Sequence, residues 1–132
     1  MSDLIPHNAF VVVADGVGAR FFRNSGHPHK VSLTTDGDFE PSLLTGEGPA
    51  GKQPSERTRQ ETDEAIFAKQ LAHELNRRAL RHEFDALVLI ADPQTLGQIR
   101  PLLHKEVSSR LSAEYHKTLT RASIGEIQKA LS

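Results

Sequence analysis

The stretch Phe84–Arg100, FDALVLIADPQTLGQIR, decides the fold of this chain. It opens with an unbroken apolar run from Ala86 to Ala91, which is typical of a strand buried on both faces of a helix-covered sheet. The run stops at Asp92-Pro93. Because an Asp can cap a helix and proline suits the first helical position, we predict a strand, a sharp turn and then a helix. Functional sites of open α/β sheets collect at such corners.

Earlier elements follow from the same kinds of pattern. A second apolar run, Asn8–Ala14, predicts another central strand, and the glycine-bearing turn Asp15–Gly18 follows it. Ala19–Arg23 and Lys30–Thr35 are predicted as two further antiparallel strands. Apolar residues recur at helical spacing from about Thr62 to His82, which predicts a long amphipathic helix. A right-handed crossover through this helix would place the two apolar runs side by side and parallel.

The carboxyl-terminal part completes a single domain over residues 1–132. Leu111–Leu119 is the last strand candidate, and Ser123 with Glu126 forms a capping box before a short terminal helix. In the long helix, Glu74 is placed to pair with Arg78 one turn later. The predicted order of elements is therefore β-β-β-α-β-α-β-α.

Composition excludes several classes of function. The chain has 37% hydrophobic residues and a net charge of −1, which fits one globular domain without a broad nucleic-acid-binding surface. It has no cysteine, so disulfides, thiol catalysis and thiolate metal sites are excluded, and scattered histidines give us no reason to expect a tight metal site or a cofactor. We expect no membrane segment and no signal peptide, and therefore a cytoplasmic protein.

The tract Asp36–Gln60 is predicted to be a long flexible loop. Four glycines and three prolines lie between Asp36 and Pro54, which disfavours a regular element. Its second half, residues 46–59, combines this backbone freedom with Lys52, Arg57 and Arg59. That combination suits phosphate contacts, although the glycine spacing matches neither a P-loop nor a dinucleotide-binding motif.

The element order resembles the ribonuclease H-like fold. That resemblance implies a three-layer α/β domain with a mixed five-stranded sheet in the order 3-2-1-4-5, strand 2 antiparallel, and helices on both faces. Asp15 and Asp92 would then follow neighbouring parallel strands, where two carboxylates can hold a divalent cation. Glu61 or Glu64 from the long helix could supply a third carboxylate.

A second resemblance covers most of the chain. ADGVGARFFRN at residues 14–24, FAKQLAHEL at 67–75, FDALVLIADPQTLGQIRPLL at 84–103 and HKTLT at 116–120 are similar to the bacterial host attachment protein family, which is described as required for attachment to host cells. That family resembles, more distantly, the middle domain of archaeal and eukaryotic peptide release factors, whose Gly-Gly-Gln loop enters the peptidyl-transferase centre. Gly51-Lys52-Gln53 stands at the matching place, with lysine replacing the middle glycine.

Three functions fit these observations. The first is a non-enzymatic protein that acts indirectly in host attachment by binding ribosome, RNA or a protein partner through the 46–59 loop, with Gly51, Lys52, Gln53, Arg57 and Arg59 at the interface. The alternative is a metal-dependent nuclease or phosphohydrolase that uses Asp15 and Asp92. The third is a sensor of a small ligand bound at the strand ends. We expect the first, and nothing in the sequence assigns an oligomeric state.

Overall fold

A computed structural model describes residues 5–39 and 56–131, and the side chains of residues 56–62 are not part of that description. These ranges contain five strands and four helices. The strands are β1 (Phe10–Ala14), β2 (Ala19–Asn24), β3 (Leu33–Phe39), β4 (Leu87–Ala91) and β5 (Leu111–His116). The helices are α1 (Glu56–Leu80), α2 (Pro93–Ile99), α3 (Lys105–Ser108) and α4 (Ile124–Leu131), with a 3₁₀ turn at Arg100–Leu102.

The five strands form one mixed sheet in the order β3-β2-β1-β4-β5, which confirms the predicted order. β1 is antiparallel to β2 and parallel to β4, and β4 is parallel to β5. The two apolar runs are neighbours in register, with Val11 beside Val88 and Val13 beside Ile90. Every residue of β1 and β4 is fully buried, because helices or the amino-terminal segment cover both faces of the sheet centre.

Two apolar cores lie on opposite faces of this sheet, since successive strand residues point to opposite sides. On one face, Val12 and Leu89 pack with α1, α2 and α3. On the other, Val11 and Val88 pack with α4 and the amino-terminal segment around Ile5. The alternation of β1 between the two cores explains why its sequence shows no polar residue.

Helix α1 is amphipathic as predicted, with Phe67, Leu71 and Leu75 fully buried on one face. Glu74 pairs with Arg78 and also with Arg77, each at 2.7 Å. The hydrogen bond from Arg77 is the main reason why the pKa of Glu74 is lower than usual, against the opposing effect of burial. Within the described ranges, no helix is long and apolar enough to cross a bilayer.

The predicted loop, Asp36–Gln60, includes residues at both ends that belong to regular elements in the structure. β3 continues to Phe39, and α1 begins at Glu56 rather than near Thr62. The strand extends through polar residues because of a bulge, in which Asp36 and Gly37 stand opposite a single residue of β2. Gly37 has a φ of 102°, a conformation that side chains disfavour. The remaining tract, 40–55, lies outside the described residues.

Candidate functional site at the carboxyl edge of the sheet

Asp15 organises the turn that follows β1. Its Oδ1 accepts hydrogen bonds from the backbone N–H groups of Val17 at 2.8 Å and Gly18 at 3.0 Å. Its Oδ2 accepts a third bond, at 2.7 Å, from the hydroxyl of Thr120, which lies 105 residues later in the chain. The turn is closed by the Asp15 N–H, which donates to the Gly18 carbonyl at 3.0 Å. Both oxygens of this carboxylate are therefore engaged in holding the backbone.

Helix α1 contacts the same turn. A Cβ built on Gly16 would lie 2.7 Å from Cγ of Glu64 and 2.8 Å from its Cδ, so glycine at this position allows the Glu64 side chain to lie against the turn. The structure thus brings Glu64 to the Asp15 turn, as the metal hypothesis expected of a third carboxylate. The side chain of Glu61, the other candidate, lies outside the described residues.

Asp92 has a different task at the end of β4. It is the N-cap of α2, where Oδ2 accepts from the N–H of Thr95 at 3.1 Å and Oδ1 accepts from the Thr95 hydroxyl at 2.7 Å. The predicted cap is therefore confirmed. Among the side chains that the structure describes, no three acidic or histidine groups come together in a way that could hold a metal ion.

Arg20 ties the chain beyond β5 to the β1–β2 hairpin. Its Nη1 donates to the carbonyls of Thr120 at 3.2 Å and Ala122 at 2.7 Å. Its guanidinium also lies 5.0 Å from the centre of the Phe22 ring, a favourable cation–π distance. Together with the Asp15–Thr120 bond, these contacts hold Thr120 and Ala122, which belong to residues 117–123, a stretch that we name the strand-end segment.

Sequence analysis missed Arg20 and Thr120 as site residues. Thr120 belongs to the HKTLT motif, which neither the strand nor the helix pattern explains. Arg20 is a charged residue in the otherwise apolar start of β2, and its half-buried position reflects its carbonyl partners. Both irregularities are visible in the sequence, but neither indicates that Arg20 and Thr120 contact each other.

Beside the strand-end segment, the carboxyl-terminal half of β5 carries a network of charged side chains. Arg100 donates through Nε to Oε2 of Glu114 at 3.1 Å and through Nη2 to Oε1. This pairing with Arg100 is the main reason why the pKa of Glu114 is lower than usual. Nη2 of Arg100 also lies 3.3 Å from Nε2 of His116, at the end of the strand.

A comparison with known protein families shows which family the chain belongs to. The profile of bacterial archaeo-eukaryotic release factor family 12 matches residues 8–131. The chain belongs to this family. Its release-factor-like character, expected from the resemblance of the motifs at residues 14–24, 67–75, 84–103 and 116–120, is thereby confirmed at the level of the family. A search of curated proteins found no match.

In this family 12 protein, β3 ends at the edge just described, and α1 passes the same edge. Phe39, the last residue of β3, pairs with Ala19 at the start of β2, next to the Asp15 turn. The Phe39 ring lies 6.0 Å from that of Phe21 and 5.9 Å from that of Phe67 on α1. The ring contacts thereby connect the end of β3 to the helix that follows residues 40–55.

The predicted interface residues are only partly covered by the structure. Gly51, Lys52 and Gln53 lie outside the described residues. Arg57 and Arg59 belong to the first two turns of α1, but their side chains are not described. A backbone position on a helix was not expected for these two arginines, which sequence analysis had assigned to the loop.

Proposed function

We propose that this protein is a non-enzymatic binder of the ribosome that contacts ribosomal RNA through residues 46–59. The observation that carries the proposal is membership of a release factor family across residues 8–131. The positions of Phe39 and of Glu64 on α1 support it, because the end of β3 and the part of α1 around Glu64 both lie beside the Asp15 turn. Lys52, Arg57 and Arg59 would make phosphate contacts, and Gly51 and Gln53 would shape the loop.

The resemblances also imply a ribonuclease H-like fold and a role in host attachment, and we propose both for this protein. The strand order and the antiparallel β2 support a ribonuclease H-like fold. The host attachment role would be indirect, through an effect on translation in the cytoplasm. We expect no peptidyl-tRNA hydrolysis, because Lys52 restricts the backbone where the release-factor motif has glycine.

The metal-dependent nuclease is the second candidate, and one observation favours it. Glu64 lies against the turn that contains Asp15, so two acidic residues are neighbours there. The binding proposal is nevertheless preferred, because both oxygens of Asp15 and both of Asp92 accept hydrogen bonds from the protein.

The test is co-sedimentation with purified ribosomes over a series of salt concentrations. Binding through phosphates should weaken steeply as salt rises, because each contact releases counterions. Replacing Lys52, Arg57 and Arg59 with Ala should lower the slope of log affinity against log salt by about two to three units.

A charge-matched control uses Lys30, Lys69 and Lys129, which are exposed and form no ion pair with another described residue. The triple Ala variant of these lysines should keep the wild-type slope. Gln53→Ala should leave affinity nearly unchanged. Absence of ribosome retention at low salt, or equal slopes for the two triple variants, would contradict the proposal.

A further inference from the structure

The strand-end segment carries two cations that the fold does not use. Lys117 and Arg121 are exposed, and neither pairs with an acidic group among the described side chains. Most arginines with described side chains are instead committed to carboxylates or carbonyls: Arg20, Arg23, Arg77, Arg78, Arg100 and Arg110. The segment itself, KTLTRAS at 117–123, contains no acidic residue. Arg121, like Arg81, is therefore an exception among these arginines, and Lys117 is a second cation without a described acidic partner on the same segment.

The backbone on both sides of Arg121 is held in place, and Lys117 directly follows the last residue of β5. Arg20 binds the carbonyls of Thr120 and Ala122, and the Thr120 hydroxyl binds Asp15. Where the segment ends, the N–H of Ser123 donates to Glu126 and the Ser123 hydroxyl accepts from the Glu126 N–H, which confirms the predicted capping box. A backbone that is already ordered loses little entropy on binding, so cations on it are well suited to contact a ligand.

Charge and position indicate which ligand would bind. Asp15 and Arg20 offset each other at the base of the segment, and Lys117 and Arg121 are the charged side chains of residues 117–123 themselves, with Glu126 at the end of the segment and Glu64 beside the Asp15 turn. Thr120 touches the Asp15 turn, and that turn neighbours both Glu64 on α1 and Ala19 beside the end of β3. The cations thus lie on a segment at the edge where β3 ends and where α1 passes at Glu64, the two elements that flank the tract proposed to bind ribosomal RNA.

We propose that Lys117 and Arg121 form a second phosphate-binding site, which extends the interface for ribosomal RNA beyond residues 46–59. This inference rests on the RNA-binding part of the proposed function. Two phosphate contacts to RNA account for about one to two units in the slope of log affinity against log salt. In a Lys117→Ala, Arg121→Ala double variant, the slope of log affinity against log salt should therefore be smaller by that amount. The variant should also bind less tightly at low salt.

The experiment measures binding of five proteins to intact ribosomes and to a free single-stranded RNA. They are the wild type, the loop variant in which Lys52, Arg57 and Arg59 are replaced with Ala, the Lys117/Arg121 double Ala variant, a Lys69/Lys129 double Ala control, and a Lys117→Arg, Arg121→Lys exchange that keeps both charges. Lys117 and Arg121 are exposed, so their variants should fold, and circular dichroism checks the folding of all five proteins. The control and the exchange should keep the wild-type slope. Free RNA should bind more weakly than ribosomes if ribosomal RNA is the partner.

The outcomes separate this inference from the proposed function. If the loop variant lowers the slope while the Lys117/Arg121 variant behaves like its control, the second site is overturned and the loop proposal stands. If the Lys117/Arg121 variant alone lowers the slope, the second site stands and the loop proposal fails. If the wild type binds neither ribosomes nor RNA at low salt, both fail. Tighter binding to free RNA than to ribosomes would overturn ribosomal RNA as the partner.

Discussion

Asp15 and Asp92 follow the two central parallel strands, β1 and β4. Their side chains accept hydrogen bonds from donors that lie at very different distances along the chain. Among the described residues, the Asp92 carboxylate accepts hydrogen bonds from Thr95 alone, three residues away, in a helix cap. Asp15 binds the N–H groups of its own turn and also Thr120, 105 residues away. Asp92 therefore starts one helix, whereas Asp15 joins the first hairpin to the segment after the last strand. The same residue type at equivalent strand ends stabilises local structure in one case and tertiary structure in the other.

The larger effect is expected at Asp15. Asp15→Ala would leave two backbone N–H groups and the Thr120 hydroxyl without their acceptor, which should lower the free energy of unfolding by about 2–3 kcal/mol. Chemical denaturation measures this cost. Asp85→Ala is the control, because Asp85 is exposed and makes no hydrogen bond within the described residues, and it should change stability by less than about 0.5 kcal/mol.

A double-mutant cycle with Thr120→Val isolates the distant contact. Because the two side chains share a bond, the free-energy costs of Asp15→Ala and Thr120→Val should not add, and a coupling of at least about 0.5 kcal/mol is expected. Additive costs would mean that Asp15 acts only within its own turn, and the contrast with Asp92 would disappear.

A smaller effect is expected at Asp92. Asp92→Ala removes a helix cap and should cost about 1 kcal/mol, whereas Asp92→Asn should retain most stability because asparagine caps equally well. Denaturation of both variants beside the wild type provides the measurement. A cost for Asp92→Asn as large as that of Asp92→Ala would show that the negative charge matters beyond the cap.

These differences explain how much the sequence could predict. The apolar runs identify β1 and β4 as central strands because burial on both faces removes polar alternation. Asp92-Pro93 and the Ser123–Glu126 box are readable because their partners lie within one helical turn. Helix boundaries were less accurate, since α1 begins at Glu56 within a polar stretch that lacks an apolar period.

The candidate site was predicted only in part, for a physical reason. Asp15 and Asp92 were recognised as strand-end residues, and Glu64 as a neighbour on the helix. The contacts from Arg20 and Thr120 were not, because they depend on how β2 and the strand-end segment approach after folding. No spacing rule links residues that are about 100 positions apart, so only the tertiary structure identifies them.

The most direct test asks whether these carboxylates hold the backbone or a cation. Titration calorimetry with Mn²⁺ compares the wild type with an Asp15→Asn, Asp92→Asn double variant, under conditions where circular dichroism shows both folded. Because each carboxylate is already occupied by protein donors, we expect weak or absent binding by both proteins. Sub-micromolar Mn²⁺ binding by the wild type that the double variant loses would contradict this account and favour the metal-dependent nuclease.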